Sequence, residues 1–277
     1  MQGQQQIKEK VKERYSKIAL TGNGDCSCCC APEEEEKSAA AEENSSTLMR
    51  SAKGVGYDSK DIASIPKTSI LGVGCGVPTK FADIRPGEVV VDLGSGAGID
   101  VFLSANQVGK SGKVIGIDMT DAMLEKAQKN AKDNNYTNVE FRKGDIEKRI
   151  PIEDDTADLV ISNCVVNLTI DKASTFKEIY RILKNDSSSG RSRMVISDLV
   201  TDREVDKGSV NPEKWCSCID GALTKENYLN SIRKAGFKNV QVLEEKAYIV
   251  EQGNNEDGEE DYTRSKISSL IIKAVKD

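Results

Sequence analysis

The sequence predicts an α/β fold, a doubly wound and mostly parallel sheet of seven strands. Short apolar segments alternate with segments of helical periodicity, which is the pattern of a parallel sheet with helices on both faces. A turn with Gly94, Gly96 and Gly98 follows the first apolar segment, and such turns lead from a strand into a helix beside a ligand. The 277 residues suffice for one large domain, or for one with a small appendage.

The chain begins with a predicted amphipathic helix over residues 7–20, which we expect to dock on the main domain. Its apolar face carries Ile7, Val11, Tyr15 and Ile18. Four cysteines then stand within residues 26–30, and an acidic tract runs from Pro32 to about Ser46. Charge runs of this kind are usually solvated, so we predict a loop there rather than a docking surface.

A short helix and a cysteine-bearing loop are predicted before the first strand. The helix runs from Ser59 to Ile65, because Pro66 closes it. Residues 70–78 are too rich in glycine for a helix or a strand, so we predict a loop that carries Cys75.

The seven predicted strands are apolar segments of strand length, bounded by turn residues. They lie at 89–93, 113–118, within 138–146, at 157–162 and 194–197, around 240–242 and at 268–275. Helical patterns follow several of them, with Thr120, Asp171 and Thr224 as candidate caps. Two long loops, at 185–190 and 251–261, carry no recognisable chemistry.

Composition excludes several classes of protein. The net charge of −6 argues against nucleic acid as a partner. No run approaches the ~20 apolar residues of a membrane span, so we expect no membrane association, and the first residues lack the apolar core of a secretion signal. We therefore expect a cytoplasmic protein, and we expect it to be a monomer.

The glycine turn is preceded by an acid at the end of the first strand. Asp92 stands where a pyrophosphate would be repelled, so the turn suits a cationic cofactor rather than a dinucleotide. Asp118 ends the second strand, at the spacing where a carboxylate binds ribose hydroxyls. Asn163, at the end of the fourth strand, is a candidate for contact with cofactor or substrate, although an ordinary turn residue explains it equally well. A strand, turn and helix without any cofactor remains the structural alternative.

This order of motifs resembles the class I S-adenosylmethionine methyltransferases. The resemblance implies a Rossmann-like fold, S-adenosylmethionine as the cofactor, and contact of Asp145 with the adenine amino group. The cofactor-binding residues that we infer are Asp92, Gly94, Ser95, Gly96, Gly98, Asp118, Met119, Asp145, Ile146 and Asn163.

The chain has eight cysteines and no histidine. Any chemistry must therefore proceed without imidazole, the commonest general base. In a cytoplasmic chain of this size, cysteines are more often reactive or ligating than part of a disulfide framework. Two alternatives stand beside that reading: free cysteine is often a small buried apolar residue, and Cys26 and Cys29 have the spacing of one half of a zinc site.

Three cysteine motifs resemble those of the arsenite S-adenosylmethionine methyltransferases. The motifs lie at 71–78, 161–168 and 218–223, and a multi-cysteine segment lies near the amino end. The resemblance implies that Cys75, Cys164 and Cys218 bind trivalent arsenic, and that Cys29 or Cys30 takes part in disulfide exchange with a thiol reductant, glutathione or a dithiol protein such as thioredoxin.

The resemblance also implies a division of the chain and a reaction. Residues 1–66 hold the N-terminal helix, the cysteine cluster and the acidic loop, residues 67–200 bind the cofactor, and residues 201–277 supply an arsenic-binding part and the last strands. The expected reaction is methyl transfer to arsenite or its thiol conjugates, for detoxification. The alternatives are a methyltransferase acting on an oxygen or carbon of a small metabolite, and a thiol-rich metalloid-binding protein without catalysis.

Overall fold

The computed structural model describes residues 2–22, 42–185, 192–204, 215–216, 218–247 and 266–276. The helices of this part of the chain are α1 (Gln2–Thr21), α2 (Glu42–Val55), α3 (Ser59–Ala63), α4 (Pro78–Phe81), α5 (Ile99–Val108), α6 (Asp121–Asp133), α7 (Lys172–Ile182) and α8 (Lys225–Lys234). Short 3-10 turns lie at Lys67–Ser69 and Val166–Leu168.

The strands form one mixed sheet. They are β1 (Val89–Leu93), β2 (Lys113–Asp118), β3 (Val139–Lys143), β4 (Leu159–Asn163), β5 (Arg193–Thr201), β6 (Leu223–Thr224), β7 (Lys238–Ala247) and β8 (Ile267–Val275). Their order is β3-β2-β1-β4-β5-β8-β7, with β6 on β5. Strand β8 runs antiparallel to its two neighbours, β5 and β7, and the other described pairings are parallel, so the predicted mostly parallel sheet is confirmed.

The predicted number of seven strands is wrong, because the described residues form eight. The additional strand is β6, which pairs parallel with β5 through Leu223 and Thr224. Two residues are too few to show the alternation by which a strand is recognised in a sequence.

Helices cover both faces of the sheet, as a doubly wound fold requires. Alternate residues of one strand enter different clusters: Val91 of β1 packs in the cluster that includes Phe176 of α7, whereas Val90 packs in the cluster that includes Val101 of α5. The central strands are buried on both faces, which is why they read as continuous apolar runs in the sequence.

The predicted helix caps have mixed outcomes. Asp171 accepts a hydrogen bond from the Ser174 backbone at the start of α7, and Thr224 accepts one from the backbone of Asn227 at the start of α8. Thr120 does precede α6, but its side chain makes no capping bond, and its backbone N–H instead donates to Asp118 at 2.8 Å.

The predicted acidic loop ends earlier than expected. Residues 23–41 lie outside the described residues, but helix α2 begins at Glu42, within the tract that we predicted to be a loop. Leu48, Met49 and Val55 pack against an apolar cluster with Ala52, and this tertiary burial stabilises a helix that the charged composition conceals.

The parallel register brings the carboxyl ends of the central strands to one edge of the sheet. Leu93 of β1 lies beside Ile117 of β2 and Ser162 of β4. Ligands of such sheets bind at this edge. In the part of the chain that the structure describes, none of the helices has the length and apolar content needed to cross a membrane.

Candidate active site

A large cavity opens at the carboxyl edge of the sheet, and most of the predicted cofactor residues line it. Those that do are Asp92, Gly94, Ser95, Gly96, Asp118, Met119, Asp145, Ile146 and Asn163. Gly98 does not line the cavity. It precedes α5 with φ of 100°, and a Cβ there would lie 2.7 Å from the ring of Phe102, so its glycine is explained by the turn and by packing.

The glycine turn lies close against the loop that follows β4. A Cβ on Gly94, whose φ is 72°, would lie 2.4 Å from the side chain of Val165, so only glycine fits there. The backbone N–H of Gly96 donates to the Asp118 carboxylate at 3.0 Å. Burial raises the pKa of Asp118, while backbone donors from Thr120 and Gly96 act in the opposite direction. The second acid is therefore fixed beside the turn.

The cavity is strongly acidic. Among the described residues that line it are five carboxyl groups, from Asp92, Asp100, Asp118, Asp145 and Glu147, and one lysine, Lys8. Burial, followed by the charges of Asp100 and Asp118, raises the pKa of Asp92 well above its usual range. Buried carboxyls in this number favour a cationic ligand.

Helix α1 forms one wall of the cavity, through Lys8, Val11 and Tyr15. Lys8 forms ion pairs with Asp145, at 2.8 Å, and with Glu147. The predicted docking of the first helix is confirmed, but its place beside the adenine-binding candidate Asp145 could not be seen in the sequence, because it depends on contacts across 137 positions.

Asn163 joins the cavity to the loop that carries Cys75. Its side-chain oxygen accepts from the Cys75 backbone N–H at 3.1 Å, and its amino group lies within hydrogen-bond distance of Gly76 O (2.8 Å), the Tyr57 hydroxyl (3.0 Å) and Asp100 (3.1 Å). Asn163 therefore both lines the cavity and fixes the position of this cysteine.

Asp100 is a cavity residue that we did not predict, and it lies beside Tyr57, which also lines the cavity. The Tyr57 hydroxyl lies 3.0 Å from both carboxylate oxygens of Asp100. Burial raises the pKa of Asp100 to about 6, although hydrogen bonds from Asn163 and Tyr57 oppose the shift. Asp100 stands in the first turn of α5, where an acid commonly serves to interact with the helix dipole. Its position in the sequence therefore did not indicate a role in the cavity.

The thiols of Cys75, Cys164 and Cys218 meet beside the cavity. Cys164 is half-buried and lines it together with Cys218. The Cys218 and Cys75 thiols, in that order, and then burial raise the pKa of the Cys164 thiol well above its usual range. Cys218 Sγ lies 2.9 Å from the backbone oxygen of Cys164, and Cys75 Sγ lies 3.5 Å from the Ser197 hydroxyl.

Two of these cysteines adopt a backbone conformation that is rare for residues other than glycine. The φ of Cys164 is 59° and that of Cys218 is 66°. A side chain in the left-handed region costs about 1–2 kcal/mol, so the surrounding structure must hold both residues there. Cys75 is not among the described residues with positive φ.

A buried carboxyl, Asp198, lies behind two of the thiols. The sulfur atoms of Cys75 and Cys164 and a carboxylate oxygen of Asp198 lie within 4.8 Å of one another. Burial raises the pKa of Asp198 to about 7, and the charge of Lys172 opposes the shift. We did not predict this residue. The available signal was a charged residue inside an apolar segment, since every residue of β5 is buried.

The remaining cysteines are Cys216 and those of the amino-terminal segment. Cys26, Cys28, Cys29 and Cys30 lie outside the described residues. Cys216 is buried in the apolar cluster that also holds Cys75, Cys218 and Trp215. The described cysteines, Cys75, Cys164, Cys216 and Cys218, form no disulfide with one another.

Residues 84–236, more than half of the chain, match the sequence profile of a family described as a methyltransferase domain. The chain belongs to this methyltransferase family. The glycine turn, the acids of β1 and β2, and strands β1 to β6 all fall within the matched methyltransferase region, whereas β7 and β8 follow it.

Individual relatives of this methyltransferase include arsenite methyltransferases. That of Halobacterium salinarum is 38% identical over 239 residues, which cover 86% of this chain and 59% of the relative. That of Aquipseudomonas alcaligenes is 34% identical, over 65% of this chain and 52% of the relative. The chain thus spans little more than half the length of these two relatives.

A solved structure agrees with the sequence relatives. The arsenic (III) S-adenosylmethionine methyltransferase from Chlamydomonas reinhardtii superimposes with a TM-score of 0.64 at 29% identity, over 83% of this chain and 73% of that protein. The class I methyltransferase fold expected from the sequence is confirmed.

Proposed function

We propose that this protein transfers methyl groups from S-adenosylmethionine to trivalent arsenic held by Cys75, Cys164 and Cys218. The observation that carries the proposal is the meeting of three thiols, from loops far apart in the sequence, beside an acidic cavity of the methyltransferase fold. The similarity to arsenite methyltransferases supports the choice of arsenic.

The cavity fits the proposed cofactor. We assign Asp118 to the ribose hydroxyls and Asp145 to the adenine amino group, and Asp92 supplies a third carboxyl near the glycine turn; all three line the cavity. Ser95, Met119 and Ile146 complete the lining beside the turn and between these acids. When bound, S-adenosylmethionine supplies an electrophilic methyl group on a positively charged sulfur. The excess of carboxyl groups over lysine suits that charge.

Arsenite, or one of its thiol conjugates, suits the cysteine group. Trivalent arsenic is a soft acceptor that forms three pyramidal bonds to sulfur and keeps a lone pair. That lone pair carries no proton, so no general base is required and the absence of histidine is no obstacle. Cys75 and Cys218 are 5% and 3% exposed, so arsenic bound there is largely shielded from water.

The proposal includes a reductive step. Methyl transfer leaves arsenic formally pentavalent, and its return to the trivalent state needs two electrons. A pair of cysteines supplies them by forming a disulfide, which an external thiol reopens. We assign this exchange to Cys29 or Cys30, with glutathione or a dithiol protein such as thioredoxin as the reductant.

We also propose the setting and division of labour. Residues 67–200 bind the cofactor, residues 1–66 supply the exchanging cysteines, and residues 201–277 supply Cys218 and the last strands. The protein acts as a cytoplasmic monomer in arsenic detoxification.

The test is incubation of the purified protein with arsenite, S-adenosylmethionine and a thiol reductant, followed by separation of methylated arsenicals. We expect catalytic accumulation by the wild type, and loss of product with unchanged cofactor affinity in Cys164→Ser. A full rate in that variant would contradict the role of Cys164 and favour an oxygen or carbon acceptor. Stoichiometric arsenite binding without product would identify a metalloid-binding protein.

A further inference from the structure

Asp198 is a charged residue inside the most completely buried strand of the sheet. Its exposed fraction is 0%, and it does not line the cofactor cavity. Its carboxylate nevertheless lies within 4.8 Å of the sulfur atoms of Cys75 and Cys164. Burying a carboxylate in a protein interior is unfavourable, so its presence directly behind two proposed arsenic ligands calls for a reason beyond packing.

The carboxylate is held in place by donors from several elements. Its oxygens accept hydrogen bonds from the Asn167 backbone at 2.9 Å, the Tyr228 hydroxyl at 3.0 Å and the Leu199 backbone at 3.0 Å. Lys172 adds an attractive positive charge. These hydrogen bonds and the charge of Lys172 act against the burial that raises the pKa of Asp198 to about 7, so above that pH the carboxylate carries a negative charge with a fixed orientation. Such preorganised charges are effective in stabilising transition states.

We propose that Asp198 stabilises the positive charge that arsenic acquires during methyl transfer, an inference that rests on the proposed function. The arsenic lone pair forms the new As–C bond while the S–C bond of the sulfonium donor breaks and its electron pair passes to sulfur. One positive charge thus leaves sulfur and appears on arsenic, with no proton or external electron involved. Arsenic bound by three thiolates is neutral beforehand, so a fixed negative charge nearby favours the transition state over the ground state.

The position of Asp198 distinguishes it from the other acids of the site. Asp92, Asp100 and Asp118 line the cofactor cavity, where positive charge disappears during the reaction. Asp198 lies on the thiol side, where positive charge appears. Two unit charges about 5–6 Å apart in a partly screened interior interact strongly enough to change a rate roughly 10- to 100-fold.

The first experiment follows a single turnover of methyl transfer after arsenite-loaded protein is mixed with excess S-adenosylmethionine, at a pH above the pKa of Asp198. We expect Asp198→Asn to slow transfer roughly 10- to 100-fold, with both dissociation constants within about two-fold of the wild type. Asp158→Asn is the matched control, because Asp158 is a hydrogen-bonded acid that immediately precedes β4, at the opposite end of the strands. An unchanged rate in Asp198→Asn would overturn the inference.

The second readout measures charge and not activity. We would compare how fast Cys164 is modified by a trimethylammonium methanethiosulfonate and by neutral methyl methanethiosulfonate, with peptide mass spectrometry. The ratio of the two rates cancels changes in thiol reactivity. We expect it to fall several-fold in Asp198→Asn and to stay constant in the control Asp158→Asn, which leaves the Asp198 carboxylate and its donors in place. A constant ratio in Asp198→Asn would contradict a field from Asp198.

In Asp198→Asn one carboxylate oxygen becomes an NH2 group, which cannot accept the hydrogen bonds that the carboxylate accepts. Asp198→Ser therefore serves as a second neutral variant. The methyl-transfer rate and the ratio of the two modification rates must fall in each neutral variant of Asp198 that still binds the cofactor and binds arsenite with the wild-type stoichiometry. If the wild type does not methylate arsenite, the proposed function itself fails. If the wild type and both neutral variants transfer methyl groups equally fast, only the role of Asp198 fails.

Discussion

The thiol of Cys218 donates a hydrogen bond to the backbone oxygen of Cys164, with 2.9 Å between Sγ and O. The two residues are 54 positions apart, and the contact joins the segment after β4 to the segment before β6. The Trp215 indole N–H also donates to the backbone oxygen of Leu168, at 3.0 Å. Two of the proposed arsenic ligands are therefore brought together before arsenic binds.

Gly221 packs closely against the segment after β4, and its replacement tests the contact between the two segments. A Cβ at Gly221 would lie 2.0 Å from the backbone oxygen of Asn167, so Gly221→Ala must displace the Cys218 segment. We expect arsenite affinity to fall roughly 10-fold or more while cofactor affinity stays within about two-fold. Trp215, the only tryptophan of the chain, gives a fluorescence signal for arsenite binding. Gly54→Ala is the control, because a Cβ there meets no atom within 4 Å.

Replacement of Asn163 tests how Cys75 is positioned. Asn163→Ala removes the acceptor of the Cys75 backbone N–H and the donor to Gly76 O, and leaves both groups in a partly buried loop. We expect the free energy of unfolding to fall by about 2–3 kcal/mol in urea titrations, and arsenite binding to weaken. Unchanged stability together with unchanged arsenite binding would show that the loop holds Cys75 without this amide.

The left-handed conformation of Cys164 predicts an inverted order of stability between two variants. Cys164→Gly relieves the unfavourable φ of 59°, whereas Cys164→Ala retains it. We expect the free energy of unfolding of the glycine variant to exceed that of the alanine variant by about 1 kcal/mol.

Cys75 provides the control for this comparison, since it is not among the described residues with positive φ. There the ordinary order should hold, with alanine more stable than glycine. The same order at both positions would contradict a conformational cost at Cys164.

The buried carboxyl of Asp100 predicts a pH dependence of stability. Burial raises its pKa from the ordinary value of 3.8 to about 6. The folded state binds the Asp100 proton more tightly than the unfolded state does. The stabilising contribution of Asp100 to the free energy of unfolding is therefore complete below pH 3.8 and is lost as the pH rises through about 6. Relative to Asp100→Asn, the cofactor-free wild type should therefore lose unfolding free energy across this interval and change little above it. Urea titrations of both proteins across the interval measure the difference, and parallel pH profiles would rule out the shift.

Local features of the sequence predicted much of the fold and of the cofactor site. The strand, the glycine turn and the acid Asp118 each follow from neighbouring residues, so their positions could be inferred without tertiary information. Helix α2 was missed because its stability depends on an apolar cluster that distant elements complete.

The thiol side of the site was harder to infer. Asp198 belongs to it through contacts across many positions, since it lies behind Cys75 and Cys164. A single sequence shows which residue types are present but not which strand ends and loops meet. The one local signal, a charge within an apolar strand, marked Asp198 as unusual without indicating its neighbours.

The backbone at Cys164 and Cys218 has a consequence for engineering this protein. Directed evolution for heat resistance alone, without arsenic in the screen, rewards any replacement that removes an unfavourable backbone conformation. Glycine is such a replacement at both positions. A stabilised descendant obtained in that way would keep its cofactor cavity and lose the two thiols, so the screen must include arsenic if the proposed activity is to survive it.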